Sequence, residues 1–236
     1  MGKRVVLIYH NDGPIDDRAF TYLRDAGFTL DLKRPFLGDA LDAPDAELAG
    51  SVVYGGPFVP AEEAEHPFLQ SEHRWIADCI EREIPLLGIC QGAQSIAHVL
   101  GAKTGPRPEG LHEFGYYEVR PTETGRDVLP EPLTLCQSHY HEFETPQGAE
   151  LLAESDWYPQ QAFRYGATTY AFQFHAEVTP DGFRRWQQAK WAAYGKPGAQ
   201  SKEEQDRLMA AHDARQHNWF LGFLQRLFPK EKAVAA

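Results

Sequence analysis

The chain has 236 residues, about one and a half domains of usual size, and with 42% apolar and 24% charged residues it is not composed like a disordered chain. Lys and Arg total 23 against 34 Asp and Glu, a formal net charge of −11, and such a surface repels phosphate backbones and anionic lipid, so neither nucleic acid nor a membrane is expected as a partner. No apolar run approaches the roughly 20 residues of a membrane span, the opening residues read as a strand rather than a signal peptide, and the odd count of three cysteines (Cys79, Cys90, Cys136) reads as reduced thiols in a cytoplasmic protein.

Arg4 to His10 (R-V-V-L-I-Y-H) is a continuous apolar run of the kind that forms a parallel strand covered on both faces. A helix over 16–27 follows, with Phe20, Leu23 and Ala26 at helical spacing and a glycine at its end. Strands are expected over 29–35, over 51–56 running into Gly55-Gly56-Pro57, and over 85–90, with a helix at 69–83 before the last of these and another at 91–100 after it. This alternation predicts an α/β fold with three layers and a mostly parallel central sheet. Beyond Gly101 the segments 114–120, 133–139 and 168–175 are strand-like with short connections, which predicts a smaller antiparallel sheet. Residues 181–194 read as a helix and Gly195 to Gly198 as a linker. Ser201-Lys-Glu-Glu204 is a capping box opening a helix of about two dozen residues, with Leu208, Ala211, Trp219, Phe223 and Leu227 on its apolar face. The expected division is therefore a main domain over 1–195 and, over 196–236, a linker and helical extension packed on it.

Three short motifs carry the chemistry. Gly88-Ile-Cys90-Gln-Gly92 has the nucleophile-elbow form with cysteine in the serine position, placed where a strand turns sharply into a helix whose N-terminus favours a thiolate. Read alone, it also suits a plain buried cysteine in a tight turn. His175-Ala-Glu177 follows an apolar run; two residues apart on a strand, the pair would point the same way, and Glu177 would orient His175 as acid and base for the cysteine. Such pairs also occur on surfaces without chemistry. Gly55-Gly56 would present backbone N–H groups to an oxyanion, with the Gln91 amide as second donor, or simply make a turn.

In this order, at strand ends, these motifs make the chain resemble the class I glutamine amidotransferases, nearest to the glutaminase domain of GMP synthase and its stand-alone relatives. The resemblance covers about residues 4–190 and rests on S-V-V-Y-G-G-P (51–57), P-L-L-G-I-C-Q-G-A-Q (85–94), Q-S-H-Y-H (137–141) and the run 161–177 ending in F-H-A-E. It implies a flavodoxin-like fold and a Cys-His-Glu hydrolase that cleaves the γ-carboxamide of glutamine through a thioester, without a cofactor. It also implies roles for particular residues: Cys90 nucleophile, His175 acid and base, Glu177 orienter, Gly56 and Gln91 oxyanion hole, and Gly55, Gln94, Ser138, His139 and Tyr140 on the substrate side. Three positions depart from the family pattern: Ala93 stands where many members have histidine, Gln91 where a hydrophobic residue is usual, and His141 where synthase relatives have aspartate. The implied partners are glutamine or another γ-glutamyl compound and a separate synthase subunit. A free-standing γ-glutamyl hydrolase with the same triad is the alternative, and a binding protein on this fold the third reading.

The remaining candidates have plainer readings. His139 and His141 lack a third ligand at metal-site spacing, so no metal is expected. Gly101-Ala-Lys-Thr104 lacks the glycines of a phosphate loop. Cys79, Cys136 and His10 read as structural. α/β-Hydrolases would place the acid before the histidine in chain order, opposite to His175 and Glu177.

Overall fold

The computed structural model describes residues 3–107 and 109–230. Its first strand, β1 (Arg4–Ile8), is apolar throughout because alternate side chains enter two different cores: Val5 and Leu7 face one, Val6 and Ile8 the other. The helix α1 (Arg18–Asp25) leads to β2 (Thr29–Lys33), then β3 (Leu48–Val53), α2 (Phe68–Glu81), β4 (Leu86–Ile89) and α3 (Gln91–Val99). The chain continues through β5 (Thr104–Pro106), β6 (Glu113–Pro121), β7 (Leu133–His139), β8 (His141–Phe143), β9 (Glu150–Glu154), β10 (Ala162–Tyr165), β11 (Thr169–Phe172), α4 (Pro180–Gln187) and α5 (Lys202–Leu227).

Nine strands form one sheet in the order β2-β1-β3-β4-β11-β10-β9-β6-β7. The first five run parallel, and from β11 outwards the neighbours are antiparallel. β5 and β8 pair as a separate antiparallel ribbon. One face of the parallel half is covered by Trp75, Ile76 and Cys79 of α2 and Ala93, Ile96 and Ala97 of α3. The other is covered by Ala19 and Leu23 of α1 and by Phe220, Phe223 and Leu224 of α5. The C-terminal helix is thus one of the sheet's covering layers. No helix among the described residues is long and apolar enough to cross a membrane.

Three expectations change in detail. Residues 181–194 do not form one helix: α4 ends at Gln187, and the chain proceeds through tight turns in which Ala189 N–H bonds to Trp186 O and Ala192 N–H to Ala189 O, while Tyr194 packs edge-on to Phe114 at 5.4 Å. The capping box at Ser201 is half formed. Ser201 accepts from the Glu204 N–H at 3.2 Å, but the Glu204 carboxylate turns to Arg207 at 2.7 Å instead of reaching back. The buried stripe of α5 includes Met209, Phe220, Phe223, Leu224 and Leu227 together with Gln205 and Gln216, whereas Ala211 is exposed. Both glutamines sit on the apolar stripe because each satisfies a sheet backbone group: Gln205 Nε2 donates to Phe114 O at 2.9 Å and Gln216 Oε1 accepts from Cys136 N–H at 2.6 Å.

The elbow glycines are fixed by contact. A Cβ on Gly92 would collide with the Val53 carbonyl, and one on Gly88 would lie 2.6 Å from the Gly92 carbonyl oxygen. Only without these side chains can the first turn of α3 lie against β3 and β4. Gly92→Ala should therefore destabilise the fold by about 1–3 kcal/mol, the range for overpacking a tight contact. In thermal unfolding that is a fall of at least roughly 2 °C for a chain of this size; an unchanged midpoint would contradict the close approach.

Candidate active site

β4 and β11 are parallel neighbours with Ile89 opposite Phe172, so the residues that follow them emerge at the same edge of the sheet. Cys90 comes first after β4. Its backbone is held at φ 51°, ψ −107°, a left-handed value rare for a residue with a side chain. The Cys90 N–H donates to Phe172 O at 2.7 Å, and the Gln94 N–H donates to Cys90 O at 3.0 Å to begin α3. This turn aims the thiol out of the strand end while keeping it 93% buried.

After β11 the chain leaves the ladder. The His175 N–H donates to Cys136 O on β7 at 2.8 Å, so His175 and Glu177 stand on a turn rather than on a strand. Their side chains still meet: His175 Nδ1 and Glu177 Oε1 are 2.7 Å apart, both residues nearly inaccessible to solvent. The same ring is also within side-chain hydrogen-bond reach of Cys90. Gly55 abuts both groups, since a Cβ there would lie 2.8 Å from His175 Cε1 and 3.3 Å from Cys90 Cβ. Trp186 closes on the imidazole edge-on, with centroids 4.8 Å apart.

Burial disfavours a charged imidazole, but the Glu177 carboxylate, the Cys90 sulfur and the hydrogen bonds to both outweigh it and push His175 up to about 10. A basic group raised in this way lends the fold stability that is complete below its unfolded value near 6.5 and is lost as the pH rises through about 10. The site therefore favours imidazolium at neutral pH. Asp17 lies near enough for Glu177's charge to act on it. Burial, together with Glu177's charge, pushes its carboxyl up to about 6 against hydrogen bonds from the Phe20 N–H and the hydroxyls of Tyr54 and Tyr9. The other two thiols are of a different kind. Burial pushes Cys79 up to about 12 and Cys136 well above its ordinary range, so both are inert at neutral pH.

The other expected residues divide into two groups. Gly56 and Gln91 lie together beside Cys90: a Cβ on Gly56 would strike His10 and approach Gln91 Oε1, which itself accepts from the Phe58 N–H at 2.8 Å. Gln94 is one turn further along α3, its Nε2 donating to Gln173 Oε1 at 3.2 Å, and the Ser138 carbonyl oxygen is 3.9 Å from Cys90 Sγ. The rings of His139 and Tyr140 are engaged elsewhere. His139 Nε2 meets Glu113 Oε2 at 2.9 Å and its Nδ1 meets His141 O at 3.0 Å, while Tyr140 is half exposed and stacks on His112 at 4.9 Å. Glu113 also accepts from Ser155 Oγ and Gln161 Nε2, forming a buried polar cluster behind β7. His10 has both ring nitrogens bonded, to Glu72 and to Tyr54 O, which fits its structural reading.

Spacing gave no sign of Trp186, which packs on His175 from α4, or of Arg18, whose Nη1 donates from α1 to Ala176 O at 3.0 Å. Nor did it suggest Glu63, His73 and His98, a group of metal-ligand type whose donor atoms lie within 4.8 Å of one another. There His73 Nδ1 already bonds Glu63 Oε1 at 2.5 Å and His73 Nε2 is buried without a partner. An ion on Nδ1 would leave that second nitrogen's N–H unpaired, contrary to the usual support of a metal-bound histidine.

Comparison with known proteins gives the chain's family and fold. The family model described as glutamine amidotransferase class-I matches residues 15–185. The glutamine amidotransferase-like protein YfeJ of Salmonella typhimurium is 33% identical over 184 residues, 75% of this chain and 76% of that protein. The GMP synthase [glutamine-hydrolyzing] of Thermosipho africanus is 29% identical over 68% of this chain, which spans only 30% of that enzyme. Among solved structures, a glutamine amidotransferase from Thermotoga maritima superposes with a TM-score of 0.84 at 28% identity, covering 97% of this chain and 99% of that one. A glutamine amido transferase from Methylobacillus flagellatus, at 22% identity and TM-score 0.87, shares the fold. The chain belongs to the class I glutamine amidotransferase family.

The three thiols should separate by reactivity. At pH 7, iodoacetamide should alkylate Cys90 in the native protein and leave Cys79 and Cys136 untouched, and His175→Gln should slow that alkylation by about tenfold or more as the paired imidazole is lost. Peptide mapping by mass spectrometry reads both; equal rates in wild type and His175→Gln would show that the histidine does not activate the thiol.

Proposed function

We propose that the protein hydrolyses a γ-glutamyl amide bond, with the side-chain carboxamide of glutamine as the simplest substrate, through a thioester on Cys90. The observation that supports it most strongly is the meeting of Cys90, His175 and Glu177 at the adjacent ends of β4 and β11. In this reading the Cys90 thiolate attacks the amide carbonyl carbon, and the electron pair moves onto the oxygen. The backbone N–H groups of Gly56 and Gln91 receive that oxyanion, the second at the N-terminus of α3, where dipole and amides favour negative charge. Protonated His175 gives its proton to the departing amine as the C–N bond breaks. It then takes a proton from water, whose oxygen attacks the thioester, releasing the γ-carboxylate and regenerating the thiolate. Glu177, on Nδ1, keeps Nε2 directed at the reacting atoms and stabilises the imidazolium. Gln94 and the backbone around Ser138 and His139 are proposed to hold the α-amino and α-carboxylate groups of the γ-glutamyl unit.

Whether the amine is ammonia passed to a synthase or the remainder of a γ-glutamyl compound is decided outside the triad. GMP synthase relatives suggest the first, with glutamine as substrate and a synthase as partner.

Glutamate release from purified protein should require Cys90: Cys90→Ala should abolish it while the protein still unfolds cooperatively as a folded chain. His175→Ala should lose more than Glu177→Gln, since the carboxylate acts through the base. Measured on glutamine beside a panel of γ-glutamyl dipeptides, turnover of a dipeptide with little on glutamine identifies a free-standing hydrolase. Turnover confined to glutamine identifies an amidotransferase, and release retained by Cys90→Ala would overturn the mechanism.

A further inference from the structure

The turn that carries His175 and Glu177 is held from behind by residues outside the motifs. The α1 residue Arg18 bonds it twice: its backbone N–H donates to Glu177 O at 2.8 Å and its Nη1 to Ala176 O at 3.0 Å. The guanidinium is in turn fixed by Asp213 of α5, Nη2 to Oδ1 at 2.6 Å, with Arg18 93% buried and Asp213 82%. One helical turn further along α5, the fully buried Gln216 accepts from the Cys136 N–H at 2.6 Å, and the Cys136 carbonyl is the group that accepts from the His175 N–H. The next turn of α5 places Trp219 and Phe223 against Phe172 and Phe174, the residues on either side of the point where the chain leaves β11.

We propose that α5 is a positioning element of the active site, with Asp213 and Gln216 fixing the placement of the His175-Ala176-Glu177 turn through Arg18 and Cys136. This rests on the triad assignment above and extends it to residues that touch neither substrate nor the reacting atoms. Asp213 and Gln216 are three residues apart and so share one face of the helix. A single face thus fixes both sides of the turn, the carbonyl side through Arg18 and the amide side through β7. His175 has to stay within hydrogen-bond reach of Cys90 and Glu177 at once. A displacement of about 1 Å at such a centre can lower rates by about a hundredfold. The charge matters as well as the contact, because a buried guanidinium without its carboxylate would pull towards other acceptors, the nearest being the backbone of the turn it now holds.

The test uses the full chain with Asp213→Ala, Asp213→Asn and Gln216→Ala, and with Arg215→Ala as the control. Arg215 lies on the same helix but pairs with Glu131 on the surface. For each, thermal midpoint, kcat and KM for glutamate release, and the pH 7 alkylation rate of Cys90 are measured. Asp213→Ala and Gln216→Ala should lower both kcat and the alkylation rate by about tenfold while KM stays within about twofold, the pattern of lost transition-state alignment. Asp213→Asn, which keeps an acceptor for Arg18, should recover a large part of the loss, and Arg215→Ala should match wild type. The proposal is overturned if Asp213→Ala and Gln216→Ala keep wild-type kcat and alkylation, or lose them only in proportion to unfolded protein. If wild type releases no glutamate while alkylation still falls in Asp213→Ala, the positioning role stands and the substrate assignment fails. If Cys90-dependent turnover is untouched by either variant, the reverse holds.

Discussion

The site depends on one pairing, that of β4 with β11. Because the two strands run side by side in the same direction with Ile89 opposite Phe172, whatever follows each of them is delivered to one place, although Cys90 and His175 lie 85 positions apart in the sequence. The remaining strands make that pairing secure. β3 holds β4 from the other side and continues into Gly55-Gly56, while β10 holds β11. The glycines of the elbow let α3 start against β3 with no offset, and the left-handed backbone of Cys90 is the local strain that this arrangement holds in place.

Around that junction the electrostatics are those of a buried charged relay. A histidine lifted to about 10 by a carboxylate on one nitrogen and a cysteine near the other, with 95% of its surface removed from water, is costly unless every partner is in place. Asp17 and its two tyrosines lie within range of Glu177's charge, and burial raises the carboxyl there to about 6. The Asp17 carboxylate is satisfied by both tyrosine hydroxyls and a helix-cap amide. Arg18, which follows Asp17 in sequence, reaches the carbonyl side of the turn and joins it to α5. The polar groups behind the triad therefore form one connected arrangement from α1 to α5 rather than separate contacts.

Much of this was legible in the sequence. The parallel strands announced themselves as uninterrupted apolar runs because both faces are covered, and the elbow, the glycine pair and His175 with Glu177 were visible because they are compact motifs. Ser201 marked the start of α5 by local capping chemistry. What escaped depends on contacts between distant segments. The stripe of α5 contains Gln205 and Gln216, whose burial is decided by unpaired backbone groups on β6 and β7, and no count of apolar spacing reveals that. The end of α4 at Gln187 follows from aromatic packing on Phe114. His175 and Glu177 were expected to face the same way as neighbours on a strand; they meet because a turn bonded to β7 brings them together. His139 and Tyr140 were implicated by resemblance, and their rings instead serve a buried cluster and a surface stack, while the carbonyl of the adjacent Ser138 lies 3.9 Å from the Cys90 sulfur.

The most direct test of the account is capture of the covalent intermediate. Acid quenching of the protein during turnover of glutamine or a γ-glutamyl dipeptide, followed by peptide mass spectrometry, should find a γ-glutamyl adduct on the peptide containing Cys90. The adduct should be sensitive to hydroxylamine, as a thioester is, and absent from Cys90→Ala. Turnover with no adduct on Cys90, or an adduct on another residue, would contradict a thioester mechanism at the β4–α3 elbow.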